Sequence, residues 1–252
     1  MATRLKPCRS HSSSVHHSHK SRGRSIPTCI YCGTGAGTTK DHVPPRSLFS
    51  TPRPNLVTVP CCERCRQGQS LDDEYFVRMI AMRRDVGDNP AAVFAREAVH
   101  RAFTKPNKIG FTRALLKSIS DVSVHSAAGL YLGHATSYDV DLGRLCNVIE
   151  RTTRGLYFHE FSARLPDDNR CVTYALDGFA TAGGEINAQI QRIWHHALSG
   201  KKRAFGHDVF VYWVQPIDFP TATVWAFLVY NCVRFIAFTV PRATNLLIGD
   251  VQ

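Results

Sequence analysis

Apolar residues change their spacing several times along this chain, and each change marks a different kind of element. From Ile26 to about Ser70 they follow no helical period, and Gly and Pro punctuate the stretch, so short strands and loops are expected there. From Leu71 the spacing becomes helical. Tyr75, Phe76, Met79 and Ile80 share a face, and Asp72, Asp73 and Glu74 would occupy the first turn, where the helix dipole favours negative charge. Asp88-Asn89-Pro90 reads as the start of a second helix carrying Ala91, Phe94, Ala95, Ala98, Val99 and Ala102 on one face, and the run from Lys105 to Lys108, with Pro106 inside it, ends that helix. A third amphipathic helix is expected from Phe111 to Val122, directing Leu115, Leu116 and Ile119 into a core.

The second half reads differently. A helical stripe of Leu142, Leu145, Val148, Ile149 and Thr152 runs through Asp141 to Tyr157, Cys171 to Leu176 has the look of a strand, and Glu185 to Leu198 predicts a helix ending near Gly200. Three β-rich runs follow, Val209 to Val214, Val224 to Tyr230 and Val233 to Val240. Only Asn231 and Cys232 separate the last two, which favours an antiparallel hairpin. Tyr212, Trp213, Trp225, Tyr230 and Phe238 are read as sheet core, and Lys201-Lys202-Arg203 as an exposed loop. There is no internal repeat, and the natural boundary lies between about Ser120 and Tyr138.

Composition adds a partner to this picture. At 252 residues with a hydrophobic share of 44%, the chain can build a core without disulfides. The formal charge of +11 points to a polyanion, with nucleic acid first. Residues 1–25 contain no acid and almost nothing apolar, so they are expected to be a disordered basic arm that binds phosphate; its His16, His17 and His19 are not read as a metal site. The N-terminus lacks the apolar run of a signal peptide, and Asn231 and Arg234 interrupt the apolar stretch from Val224 to Val240. The expectation is a soluble cytoplasmic protein with no membrane partner.

The nine cysteines sharpen it further. Cys29 and Cys32, with Cys62 and Cys65, form two Cys-x-x-Cys knuckles, the usual requirement for a closed tetrahedral zinc site. Cys62 rather than Cys61 has the two-residue spacing to Cys65. Cys8, Cys61, Cys146, Cys171 and Cys232 show no ligand spacing and are expected to be free or buried thiols.

Between the knuckles lie Asp41-His42, then Val43-Pro44-Pro45, and after a Pro-rich turn the run Asn55-Leu56-Val57-Thr58-Val59. From Cys29 to Phe76 this order resembles the HNH endonucleases, ββα-metal nucleases, in the subgroup braced by two Cys-x-x-Cys pairs. The resemblance implies a general base in His42, a ligand for a catalytic Mg2+ or Mn2+ ion in Asp41, an orienting asparagine in Asn55 and structural Zn2+ on Cys29, Cys32, Cys62 and Cys65. The roles suit the chemistry: imidazole can take a proton from water near neutral pH, and a carboxylate is a hard ligand for a hard cation. Adjacent strand residues face opposite ways, so convergence of Asp41 and His42 requires a bend, for which Pro44-Pro45 is the candidate.

One position departs from the subgroup's pattern. Where an asparagine or histidine usually gives the cation a second ligand, this chain has Arg66. Gln67, Gln69, Asp72 or Asp73 could stand in, or Arg66, with Arg46, could grip the substrate phosphate. The glycines from Gly33 to Gly37 are read as a knuckle turn rather than a phosphate loop, and His159-Glu160 and His195-His196 as satisfied or exposed side chains. The expected fold is α+β: the arm at 1–25, a zinc-braced ββα-metal finger at 26–84, connecting helices at 85–124, and a C-terminal domain with an antiparallel sheet at 125–252. The expected activity is metal-dependent hydrolysis of DNA, with RNA as the other candidate substrate and a homodimer as one candidate assembly. The alternative is an inactive zinc module that binds nucleic acid or a protein.

Overall fold

The computed structural model describes residues 27–103, 109–126, 128–176, 184–217 and 221–244. The expected basic arm at 1–25 and the helix-ending run at 105–108 lie outside these residues. The fold is α+β. Two short strands, β1 (Thr39–Val43) and β2 (Val57–Cys61), pair antiparallel, with Asp41 opposite Val59 and His42 opposite Thr58. Because facing residues share a side of the hairpin, Asp41, Val43, Val57 and Val59 form its inner face and Lys40, His42 and Thr58 its outer face. Val43 and Val59 are buried and Lys40 and Thr58 exposed, as that alternation requires.

Helix α1 (Glu63–Ala81) follows at once. It starts well before Leu71, so Asp72, Asp73 and Glu74 lie mid-helix and do not sit against the dipole. The reason is that the second cysteine knuckle itself supplies the start: Cys62 is the N-cap and Cys65 lies in the first turn. The first half of α1 is polar and wet, which hides its period, and only Phe76 to Ala81 is buried throughout. Helix α2 (Pro90–Phe103) begins as expected, with Asn89 Oδ1 accepting hydrogen bonds from the amides of Ala91 (3.0 Å) and Ala92 (3.3 Å).

The third helix, α3 (Ile109–Ser118), is shorter than expected. The chain turns extended at Ser120 because Val122 and Val124 alternate with Asp, Ser and His, a period of two. These residues form β3 (Ser120–His125), paired with β4 (Tyr131–Ser137) in a largely exposed hairpin. Helix α4 (Leu142–Phe161) is capped by the Asp141 carboxylate, which accepts from the Arg144 amide. Then come β5 (Asn169–Ala175), α5 (Gly184–Ala197), β6 (Lys201–Phe205), β7 (Phe210–Pro216), β8 (Thr223–Val229) and β9 (Val233–Pro241).

The last five strands form one antiparallel sheet in the order β5-β9-β8-β7-β6. Lys201-Lys202-Arg203 is therefore an edge strand and not a loop. Pairing with β7 ties up its backbone while all three cationic side chains stay exposed, a combination whose sequence imitates a loop. The β8–β9 connection is one residue longer than expected. Tyr230 and Asn231 take positive φ values of 53° and 56°, and the Cys232 amide donates to Val229 O at 3.1 Å.

Both faces of this sheet are covered. Tyr212, Trp225, Phe227 and Phe235 pack into one core with Val43, Phe49, Val59 and Phe76 of the N-terminal segment and with α4. Val224, Ala226, Ile236 and Phe238 pack on Ile190 and Trp194 of α5. The Phe76 and Phe235 rings lie 5.7 Å apart, and the Tyr230 hydroxyl donates to Leu48 O at 3.0 Å. The expected boundary between Ser120 and Tyr138 falls on the outlying β3–β4 hairpin, while the core runs continuously from finger to sheet. Fully burying one Phe or Leu side chain contributes about 1.5–3 kcal/mol, so this shared core seats the hairpin firmly on α4. At the contact, Gly155 comes so close to Val43 that a Cβ there would lie 2.5 Å from its Cγ2. Among the described residues no helix is long and apolar enough to cross a membrane.

Candidate metal centre and hairpin site

The four knuckle thiols converge at the base of the hairpin. Cys29 and Cys32 come from the turn before β1, Cys62 from the cap between β2 and α1 and Cys65 from α1, and their sulfurs all lie within 4.8 Å of one another. Cys32 Sγ and Cys62 Sγ are 3.8 Å apart. A tetrahedron with zinc–sulfur bonds of about 2.3 Å has edges of about 3.8 Å, so the donor set and its spacing fit zinc. The glycine run is the knuckle turn that was expected. The Gly35 amide points at Cys32 Sγ at 3.4 Å, and a Cβ on Gly35 would come 2.9 Å from that of Cys62.

The thiols are not equally ready to bind. Backbone amides of Gly35 and Thr34, then the Thr34 hydroxyl, pull the Cys32 thiol down to about 5. Burial holds Cys65 above the ordinary thiol value, so metal binding there must release a proton. Cys61 is outside the cluster, as its spacing suggested. It is fully buried, donates to Cys62 O at 3.3 Å, and is pushed up to about 12 by burial first and then by neighbouring charge. None of the described cysteines forms a disulfide.

Asp41 sits on the inner face in a polar network that spans three elements. Its Oδ2 accepts from the Tyr31 hydroxyl at 2.6 Å and lies 3.5 Å from Nε of Arg151, on α4. Arg151 in turn grips Asp73 of α1 through its other nitrogen. The Arg151 side chain is only 8% exposed, and this guanidinium between two carboxylates is the buried charge of the site. Burial raises the Asp73 carboxyl to about 6 despite Arg151 pulling the other way, and burial followed by the Asp41 charge drives the Tyr31 hydroxyl well above its usual range. Both contacts to Asp41 fall on Oδ2; among the described residues nothing bonds Oδ1.

The other expected site residues are dispersed. β1 stays regular through Val43, so His42 leaves it on the outer face, opposite Thr58. The turn at Pro44 and Pro45 begins too late to swing the two side chains together. Asn55 makes no side-chain hydrogen bond among the described residues, and lines a groove with Thr58, His159 and Arg203. Arg46 is exposed on the short 3-10 turn after Pro45, and Arg66 pairs with Glu63 at 3.6 Å on the wet side of α1.

Of the four candidates to replace Arg66 as an oxygen ligand, three already make a side-chain contact. Gln67 donates to Glu63 at 3.0 Å, Asp72 accepts from Arg144 at 2.7 Å, and Asp73 holds Arg151. Gln69 Oε1 is buried with no partner, in a cleft it lines with Tyr31 and Arg151, the two partners of Asp41.

Sequence reasoning missed Tyr31 and Arg151. The first carries no motif, but Arg151 left a signal, because it lies three residues beyond Val148 on the apolar stripe of α4, where a charge must find a buried partner. No family profile, curated protein sequence or solved structure matches the chain. Its function has to be read from this site.

Proposed function

We propose that the chain is an HNH-type nuclease that hydrolyses phosphodiester bonds in DNA. The observation that carries this reading is the setting of Asp41-His42: the first strand of a strand-strand-helix unit whose base is drawn together by four thiols with zinc spacing. His42, on the outer face, takes the proton from the attacking water. Asp41 Oδ1, unbonded among the described residues, would hold a Mg2+ or Mn2+ ion, and Gln69 Oε1, buried without a partner in the cleft lined by Tyr31 and Arg151, is the candidate second oxygen. Such a cation, when bound, neutralises charge growing on the phosphoryl and leaving oxygens. Tyr31 and Arg151 hold Asp41 in place by occupying its second oxygen, the arrangement that orients ligating carboxylates in metal sites. The net charge of +11 supplies the attraction for a polyanion.

A second reading, a zinc finger that binds nucleic acid without cutting it, is favoured by one observation: Asp41 and His42 leave β1 on opposite faces, with Arg66 in place of a cation ligand. Plasmid cleavage separates the two. The purified protein is expected to nick or linearise plasmid with Mg2+ or Mn2+, and His42→Ala to abolish cleavage while zinc content and DNA retention stay at the wild-type level. Retention without cut product in both metals establishes the binding-only finger instead.

A further inference from the structure

Strand β6 presents Lys201, Lys202 and Arg203 in succession along the open edge of the five-stranded sheet. Strand alternation divides them. Lys202 turns to the α5 side, where its ammonium lies 5.4 Å from the centre of the Trp213 ring. Lys201 and Arg203 turn to the other side and converge on Glu160, near the end of α4, at 2.5 Å and 3.4 Å. The Tyr212 hydroxyl donates to the same carboxylate at 2.7 Å.

The exposures of the partners differ sharply. The Glu160 side chain is 4% exposed, whereas Lys201 and Arg203 are 53% and 50% exposed. The acid therefore lies beneath its two cations, locking their positions while the solvent meets the positive groups. One carboxylate cannot cancel two cations, so the surface keeps a positive surplus. Arg203 also forms a wall of a groove of about 480 Å3. The facing wall is the start of β2 and the residues before it, with Asn55 and Thr58, and His159 there is exposed. No acid lines the groove, and Thr58 stands directly opposite His42 across the hairpin.

We infer that this groove is a docking track for the phosphodiester backbone of duplex DNA, with Arg203 and Lys201 on phosphates next to the one hydrolysed at His42 and Asn55, Thr58 and His159 as further hydrogen-bonding groups. The inference rests on the nuclease reading for its ligand and adds the surface that positions it. A guanidinium held by a buried carboxylate is pre-ordered, so little side-chain entropy remains to be lost when phosphate arrives.

Fluorescence anisotropy of a labelled DNA duplex, titrated at several salt concentrations, tests the track. Arg203→Ala is expected to weaken binding about tenfold and to reduce the salt slope by about one, the signature of one lost phosphate contact. Glu160 keeps Lys201 and Tyr212, so the variant should melt like the wild type. Lys202→Ala, with the same charge change one residue away on the other face, should alter affinity less than about twofold. Equal losses from both substitutions mean a diffuse charge effect and overturn the track, as does an Arg203→Ala protein that binds like the wild type. If the wild type binds and cuts DNA while Arg203→Ala changes nothing, the track alone fails. If the wild type binds no duplex even at low salt, the nuclease reading fails with it.

Discussion

On the inner face of the β1–β2 hairpin, Asp41 meets a phenol and a guanidinium that are both largely withdrawn from water. On the outer face, His42 stands beside an exposed threonine, with the cations of β6 beyond the groove. The inner charges are enclosed and in contact: Arg151 lies between Asp41 and Asp73, and any one of them left alone would be a buried ion without a partner. The outer charges are deliberately unmatched, with one hidden acid beneath two wet cations. The difference assigns their work. Enclosed pairs hold geometry because breaking one costs several kcal/mol, whereas exposed pairs contribute about 1 kcal/mol or less to stability and remain available to a ligand.

The largest way to break this contrast is to remove the clamp on which both faces depend. Structural zinc in finger peptides contributes about 10–16 kcal/mol of apparent folding free energy. Cys65→Ala should therefore lose its metal, read by elemental analysis, and lose hydrogen-exchange protection throughout β1 and β2. The five-stranded sheet, held by apolar burial, should keep most of its protection. A zinc-free Cys65→Ala protein with a protected hairpin would show that apolar packing on α4 suffices and that the thiols do not hold the hairpin.

A sharper cut removes only the inner cation. Arg151→Met keeps the length and apolar stem of the side chain but leaves Asp41 and Asp73 facing each other. Breaking a buried pair in this way costs about 3–5 kcal/mol. Denaturant unfolding should show a loss of that size for Arg151→Met and a change below about 1 kcal/mol for Arg203→Ala on the outer side. Comparable losses from the two would erase the distinction between the faces.

How much of this arrangement could be read from sequence depends on how far apart its parts lie in the chain. The four-thiol cluster was legible because two thiols separated by two residues must share one turn, and the structure brings Cys29, Cys32, Cys62 and Cys65 close enough to bind a metal such as zinc. The strand-strand-helix order came from the family resemblance, the residues themselves giving only short strands and loops before a helix, and the start of α1 was not legible, since Glu63 to Ser70 is too polar to show a period. The Asp41 network was illegible, because its partners Arg151 and Asp73 come from elements whose approach only the shared core determines. The β6 edge strand was hidden by composition: three consecutive cations read as a loop until β7 is known to pair with them. Val122 illustrates the remaining error. Its placement at the end of an apolar helical stripe was plausible, but the period of two from Ser120 to His125 was the stronger signal.

The smallest predicted effect concerns protons on the inner face. Asp73 is raised to about 6 from an ordinary value of 3.8, by burial first, with Arg151 only partly reversing it. Between those two values the folded chain keeps a proton that the unfolded chain has released. Stability from this group must therefore fall as pH rises from about 4 to 6, and change little above that. Two pKa units correspond to about 3 kcal/mol, an upper bound on the slope's total because Asp73 shares its guanidinium with Asp41. Other carboxylates act in the opposite sense; Asp85, for one, is held below its usual range by Arg83. The informative quantity is thus the difference between wild type and Asp73→Asn, measured by denaturant unfolding across that interval. The wild type should lose stability relative to the variant as pH rises, because only the wild type must ionise a buried carboxyl. A flat difference would mean that Arg151 fully compensates Asp73, and the inner face would then be a neutral structural pair rather than a charged site held in tension beneath Asp41.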